Sequence, residues 1–379
     1  MKILHLIDHL GLGGSQALLL DHLEVRDRSD DHRVWTLADR SLPAATMRLQ
    51  AAGVPHGSLA LSRLDPLALA KLRALIVGER PDVLHTYLDN SNSLGVAAAL
   101  AAGRFRPALV SNIENDPAQH YGSIQRFVLR RLAPRVDAHV FVSESLREAS
   151  RRVLGDRCRR MEVVRPTIDL ERFDPSRVPA AEARKLRDGA SVVVGSVGRL
   201  AHQKAYEVLL DATPALLEAD PGTRVVIVGD GPRRGDLENR ARRLGIENAV
   251  RFTGYRPDVQ VALAAMDVFV LPSRHEGFAV VAVEAMAMGV PVVATRVVGT
   301  VDSVGDDRGL LVPFGDAPAL AAAVRRVLSD RALVERLTRI AHEWVLRECG
   351  RERAAATLRK LYEDLSSRRS ASETASVGE

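Results

Sequence analysis

Two carboxylates and two cations stand out by type and spacing. In the run PSRHEGFAVVAVEAMAMGVPVVAT, Glu276 and Glu284 are separated by seven residues. Glu276 falls in a loop after an apolar strand. Glu284 is the single ionisable residue of the apolar run Ala279–Met288. A helix apolar on every side is expected to be buried, and a carboxylate inside it needs strong donors. Either a neighbouring arginine or backbone N–H, or the hydroxyls of a ligand, would supply them. The start of the same helix favours an anion. This loop and helix can therefore hold ligand hydroxyls at both ends with a diphosphate between. Upstream, GSVGRLAHQK carries Arg199 and Lys204, five residues apart beyond another strand. A guanidinium fork and an ammonium point charge suit a diphosphate. Two solvated charges are the commoner fate of such a pair.

Three weaker signals follow strands elsewhere. Gly11-Leu12-Gly13-Gly14-Ser15-Gln16 lets backbone approach a ligand and opens a helix. It lacks the dinucleotide fingerprint, because Gln16 stands where the last glycine is required. Asp39 keeps an oxidoreductase reading open. Gly229, Asp230 and Gly231 border a second strand-to-helix turn. They suit either a capped helix start with Pro232 in its first turn or the edge of a base or ribose. His85, Asn92, Asp116 and His120 follow strands of the first half and serve equally as caps or as ligand contacts. His85 and His120 lack a matching carboxylate, so no metal site is expected.

The elements that must position these residues alternate. Strand-like runs at Ile3–Ile7, Val34–Leu37, Val83–His85, Ala108–Ile113, Ala138–Val142 and Met161–Val164 are separated by amphipathic segments. The second half repeats the scheme at Val192–Val197, Arg224–Val228, Val250–Phe252, Val268–Leu271 and Pro291–Ala294. Such alternation predicts parallel sheets, an α/β chain of two Rossmann-like doubly wound domains facing a cleft. Ligands then bind beyond the carboxyl ends of the strands. A Pro-rich, charged seam at 165–190 separates the domains. We expect one domain over 1–170 and a second over 171–344. Helices over about 345–368 are expected to pack back on the first domain, followed by a disordered tail at 369–379.

Composition supports this. A chain of 379 residues, 46% hydrophobic and 27% charged, can bury large cores. Two cysteines exclude a disulfide scaffold and a four-cysteine zinc module. No signal-peptide core or spanning segment is read, so a cytoplasmic location is expected. The net charge of +5 is uneven: residues 123–165 hold eleven arginines against five acids, which leaves the remainder one charge negative. The segment IQRFVLRRLAPR within it reads as a packed helix with a solvated face, or as a helix lying on an anionic membrane. Few aromatics and no reader motif argue against nucleic acid.

The second half resembles the retaining family-4 glycosyltransferases of GT-B fold. The matching segments are GSVGRLAHQK, VVIVGDGPRRGDLE, VRFTGYRPDV, DVFVLPSRHEGFAVVAVEAMAMGVPVVAT and GLLVPFGD, with the Glu-x7-Glu spacing of Glu276 and Glu284. GLGGSQ, DVLH and VSESLRE carry a weaker likeness in the first half. The resemblance implies transfer of a hexosyl or N-acetylhexosaminyl group from a nucleotide-sugar, a UDP-sugar before a GDP-sugar, to a hydroxyl of a glycan, glycolipid or small molecule. It implies no metal or other cofactor, the nucleotide-sugar being a substrate. Arg199 and Lys204 would neutralise the diphosphate, Glu276 would contact sugar hydroxyls, and Glu284 would bind the ribose. Backbone N–H groups at Phe278, Ala279 and Val280 would meet the phosphates, and Gly277 would also lie at the donor. Gly229, Asp230 and Arg256 would lie near the nucleoside, and Gly13 and Gly14 would approach from the other domain. Asn92, Asp116 and His120 would face the acceptor. The sequence departs from the family pattern at Ala205, where glycine is usual, and at Arg165-Pro166-Thr167. The remaining alternatives are a nucleotide-sugar epimerase on a similar fold, an NAD-linked oxidoreductase, and a silent sugar-nucleotide binder.

Overall fold

The computed structural model describes residues 1–11, 13–62, 65–155 and 158–377, with side chains up to residue 368. By its internal contacts the chain separates into two units, Met1–Thr167 with Arg351–Glu379, and Ile168–Gly350. Each is built on one parallel sheet.

The first sheet comprises β1 (Lys2–Ile7), β2 (Asp31–Thr36), β3 (His56–Ser58), β4 (Val83–Tyr87), β5 (Ala108–Ile113), β6 (Ala138–Phe141) and β7 (Met161–Val163). Its order is β3-β2-β1-β4-β5-β6-β7. Both faces are covered, which is why the central strands read as largely apolar runs rather than as a polar-apolar alternation. Along β1 the side chains alternate. Leu4 and Leu6 join Leu72, Ile76 and Val96 on one face. Ile3 joins the helix Arg351–Val377 on the other, through Leu358, Leu361, Tyr362 and Leu365. Those four recur at helical spacing, and full burial of each leucine contributes about 1.5–3 kcal/mol. This stripe returns the end of the chain to the first unit.

The second sheet comprises β8 (Val192–Val197), β9 (Thr223–Val228), β10 (Val250–Gly254), β11 (Val268–Leu271), β12 (Val292–Thr295) and β13 (Leu310–Val312). Its order is β10-β9-β8-β11-β12-β13. Leu209, Leu216, Ile227, Val270 and Leu320 anchor its core.

The structure departs from expectation in four places. β3 is the three-residue run His56-Gly57-Ser58, which has no apolar pattern to betray it. The seam at 165–190 contains a helix, Ala180–Arg187, that buries only Leu186. Position 345, the expected crossing point, lies inside the helix Arg331–Glu348, whose Leu337, Ala341 and Val345 stay with the second unit. The chain changes unit at the break after that helix. Finally, backbone helix continues to Val377 across the stretch expected to be a disordered tail. The side chains of 369–377, and residues 378 and 379 entirely, lie outside the described residues. Among the described residues no helix is long and apolar enough to cross a membrane.

Candidate active site

In the second unit the loops after β8 and β11 are stitched together. Lys204 ends a one-turn helix, His202–Lys204, and Arg274 N–H donates to the Gln203 carbonyl at 2.8 Å. Gln203 Nε2 returns the bond to the His275 carbonyl at 3.0 Å. This stitching brings Lys204 Nζ to 2.7 Å from Glu276 Oε1, with the Glu276 side chain 6% exposed. Ser273 Oγ donates to the same oxygen at 2.6 Å. Ser273 is fully buried, sits three residues before Glu276, and was not singled out from sequence. Ala205 follows in a left-handed conformation, φ 46°, which strains any residue with a Cβ.

Arg199 differs from Lys204. It is exposed and, among the described residues, its side chain makes no ion pair or hydrogen bond, so its guanidinium is available. Arg274 is not: it pairs with Glu207 at 2.5 Å and lies over the Phe314 ring at 4.9 Å.

Glu284 requires a correction. The helix Val280–Ala287 buries Ala282, Val283, Ala285, Met286 and Ala287, but Glu284 is only half-buried. It shares a more open stripe with Val280 and Val281, four and three residues earlier. Apolar composition alone hid that one face is open. No side chain caps this helix and no acid occupies its first turn. Of the three N–H groups assigned to phosphate, that of Val280 already donates to the Phe278 carbonyl at 3.0 Å. Gly277 packs against Gly299, where a Cβ would meet the Gly277 carbonyl at 2.5 Å.

The turn after β9 has a packing role. Gly229 approaches the loop after β8 so closely that a Cβ would fall 2.0 Å from the Gly198 carbonyl. Asp230 accepts from Gly231 N–H at 2.7 Å and lies 3.6 Å from Arg234. Arg256 pairs with Asp258 at 2.5 Å.

In the first unit the expected residues divide. Asn92 turns inward, accepting from Thr86 Oγ1 at 2.7 Å and donating to the Asn112 carbonyl at 2.8 Å. Asp116 caps the short helix Pro117–His120 through Ala118 N–H at 2.9 Å. Both side chains therefore have structural duties. His120 Nε2 lies 2.8 Å from Asp89 Oδ2, and this hydrogen bond raises the imidazole pKa. Tyr121 Oη donates to the other Asp89 oxygen. Beside them, burial pushes the Glu114 carboxyl up to about 7 against the opposing bond from Asn112, and the Asp89 charge adds to the rise. Asp89 and Glu114 carried no sequence signal, since their partners come from other elements. Gly13 and Gly14 begin the helix Gly14–Glu24, which also has no side-chain cap. His85 and His120 form no ligand group among the described residues.

Residues 14–172 match the family model described as Glycosyltransferase Family 4, and residues 191–330 that described as Glycosyl transferases group 1. The glycogen synthase of Mycobacterium tuberculosis is 30% identical over 295 residues, covering 75% of this chain and 69% of that protein. The chain belongs to the family-4 glycosyltransferases. This family member is also 33% identical over 256 residues to the 2-deoxystreptamine glucosyltransferase of Streptomyces kanamyceticus, 65% of each chain. The match spans less than two thirds of that relative's length, and in a further relative 42%. The HepE protein of Anabaena, solved in complex with UDP-glucose, aligns with TM-score 0.82 and 25% identity over 96% of this chain and 100% of that one. Two Rossmann-like units on parallel sheets give this family member the GT-B fold.

Proposed function

We propose that this family-4 glycosyltransferase moves a hexosyl or N-acetylhexosaminyl group from a nucleotide-sugar, UDP-linked in the first instance, to an acceptor hydroxyl with retention of anomeric configuration. The half-buried Lys204–Glu276 pair carries the reading. It fixes a cation and a carboxylate 2.7 Å apart beside the uncapped helix Val280–Ala287. Lys204, the available Arg199 and the helix start neutralise the leaving diphosphate. A preorganised charge of this kind stabilises the transition state without reorganising as the bond breaks. Glu276 accepts from sugar hydroxyls and Glu284, on the open stripe, from ribose hydroxyls. The anomeric carbon–phosphate oxygen bond breaks, the acceptor oxygen bonds to that carbon, and the acceptor proton passes to the departing phosphate. Asp89, His120 and Glu114 bind the acceptor side. The UDP-glucose held by HepE supports the donor base.

The helix Ser123–Leu132 favours a lipid-linked acceptor. None of its residues is buried, and Ile124 and Phe127 are 81% and 58% exposed. A groove of about 940 Å³ beside it is lined by Phe127, Arg130, Arg131 and Arg135. Apolar and cationic groups together suit an anionic lipid surface.

A thermal-shift panel of UDP-, GDP- and ADP-sugars, followed by NMR of the product anomer, tests the main reading. Stabilisation by one donor and a retained anomer are expected. An inverted product, or an epimerised donor formed without acceptor, refutes it. Vesicles with and without anionic lipid test the helix: binding that ignores lipid charge and Phe127→Ser removes the membrane role.

A further inference from the structure

One face of the first sheet carries a row of histidines. β1 pairs in parallel with β2 and β4, placing His5 opposite Val34 and His85. His32 lies two residues before Val34, hence on the same face as His5. His22 reaches this row from the helix Gly14–Glu24. His5, His22 and His32 are 0%, 3% and 4% exposed. His5 Nε2 lies 2.9 Å from His32 Nδ1, so these two nitrogens point at one another. One ring nitrogen from each of the three lies within 4.8 Å of the others. Among the described residues neither ring nitrogen of His22 has a hydrogen-bond partner. A buried imidazole with both nitrogens unpaired requires a ligand or water.

We propose that His5, His22 and His32 bind a divalent transition-metal cation of the zinc, cobalt and nickel class, at a site distinct from the donor and acceptor residues. Imidazole nitrogen suits these ions, whereas magnesium and calcium take oxygen ligands. Tetrahedral zinc with bonds of about 2.0–2.1 Å sets its ligand nitrogens roughly 3.3 Å apart. The His5–His32 separation must open by a few tenths of an ångström, and His22 must close by side-chain rotation. His5 Nδ1 lies 3.3 Å from Tyr87 Oη. A proton held there leaves Nε2 free to ligate, as second-shell partners of metal histidines commonly arrange.

Space for a fourth ligand exists. A cavity of about 270 Å³ is lined by His22 and His32 and can admit water. Asp27, Asp30 and Glu352 line it too, offsetting the charges of Arg26 and Arg359. A bound cation would tie the helix Gly14–Glu24 to the two strands beneath it.

The test uses the full chain, stripped by chelator and titrated with cobalt(II). Expected are one equivalent bound, visible ligand-field bands of tetrahedral cobalt that zinc displaces, and a raised thermal midpoint for the first unit. His22→Gln and His32→Gln should each abolish the bands. A wild-type chain that takes up no stoichiometric cobalt, with His22 satisfied by water alone, overturns the proposal. So do bands that persist in either variant. If a variant fails to fold, the wild-type titration decides.

Discussion

Acid should unfold the first unit well before the second. Burial lowers the pKa of His5, His22, His32, His85 and His139, all in the first unit and each at most 4% exposed. In the unfolded chain each returns to about 6.5. Above that value nothing is lost. As pH falls below it, the unfolded state gains protons that the native state refuses, so stability declines. Between pH 7 and 5 each histidine that stays neutral costs about 1.8 kcal/mol, or about 9 kcal/mol for five. Glu114 works the other way. Its raised pKa means the native state takes up a proton over the same interval, recovering about 1–2 kcal/mol after allowance for its partial exposure. The histidines win by about 7 kcal/mol, comparable to the whole stability of an ordinary domain. At about 2–4 °C per kcal/mol, the midpoint falls by roughly 15–25 °C. The two tryptophans report the units separately, Trp35 in the first and Trp344 in the second. Fluorescence melts of Trp35→Phe and Trp344→Phe chains in metal-free buffer at both pH values provide the assay. If the two transitions fall in step, or the Trp35 transition moves less than about 5 °C, the reasoning fails.

Three further outcomes are expected. Lys204→Met leaves Glu276 with only the Ser273 bond and should cost about 2–3 kcal/mol of stability and about 10²–10³ in turnover. Adding Glu276→Gln should restore the melting midpoint but not the turnover, and a double variant no more stable than Lys204→Met would contradict the pairing. Gly229→Ala places a Cβ on the Gly198 carbonyl and should cost about 3 kcal/mol, read as a drop of about 6–12 °C in the Trp344 transition. A change under about 2 °C would show that the two loops can move apart. Glu114→Gln should raise the Trp35 midpoint at pH 8 and leave it nearly unchanged at pH 5, because the carboxylate is disfavoured only above its raised pKa. An equal effect at both pH values would exclude a charge-based cause.

What was legible in the sequence follows from what each element shows locally. Ala108–Ile113, Val192–Val197 and Val268–Leu271 announce themselves, because strands covered on both faces are rich in apolar residues with no polar alternation. His56–Ser58 does not, since an edge strand of three residues has no pattern. Arg199, Lys204 and Glu276 were visible because they sit in the segments just beyond strands, and Glu284 because it is a lone charge in an apolar helix. Which of them pair was not, for the Lys204–Glu276 contact spans 72 residues. An apolar run of ten residues does not reveal which stripe is open, so the sequence alone points to a buried Glu284. Asn92 and Asp116 were visible as types, but their partners, the Asn112 carbonyl and the Ala118 N–H, make them supports of the backbone. The histidine row was hidden for the same reason: each member is an isolated residue in its own element, and register alone gathers them.

The helix Arg351–Val377 also sets a timetable for biosynthesis. It supplies Leu358, Leu361 and Tyr362 to a core that Ile3 and Val83 began, yet Ile168–Gly350 is synthesised in between. At about 5–20 residues per second, that interval lasts roughly ten to forty seconds. Throughout it the first sheet emerges with the part of one face around Ile3, Val83, Val110 and Val140 uncovered, while the second unit can already close around its own core. The nascent chain is therefore most open to chaperones, and most prone to aggregate, in its oldest part. A stop codon shortly after Gly350 would make that exposure permanent.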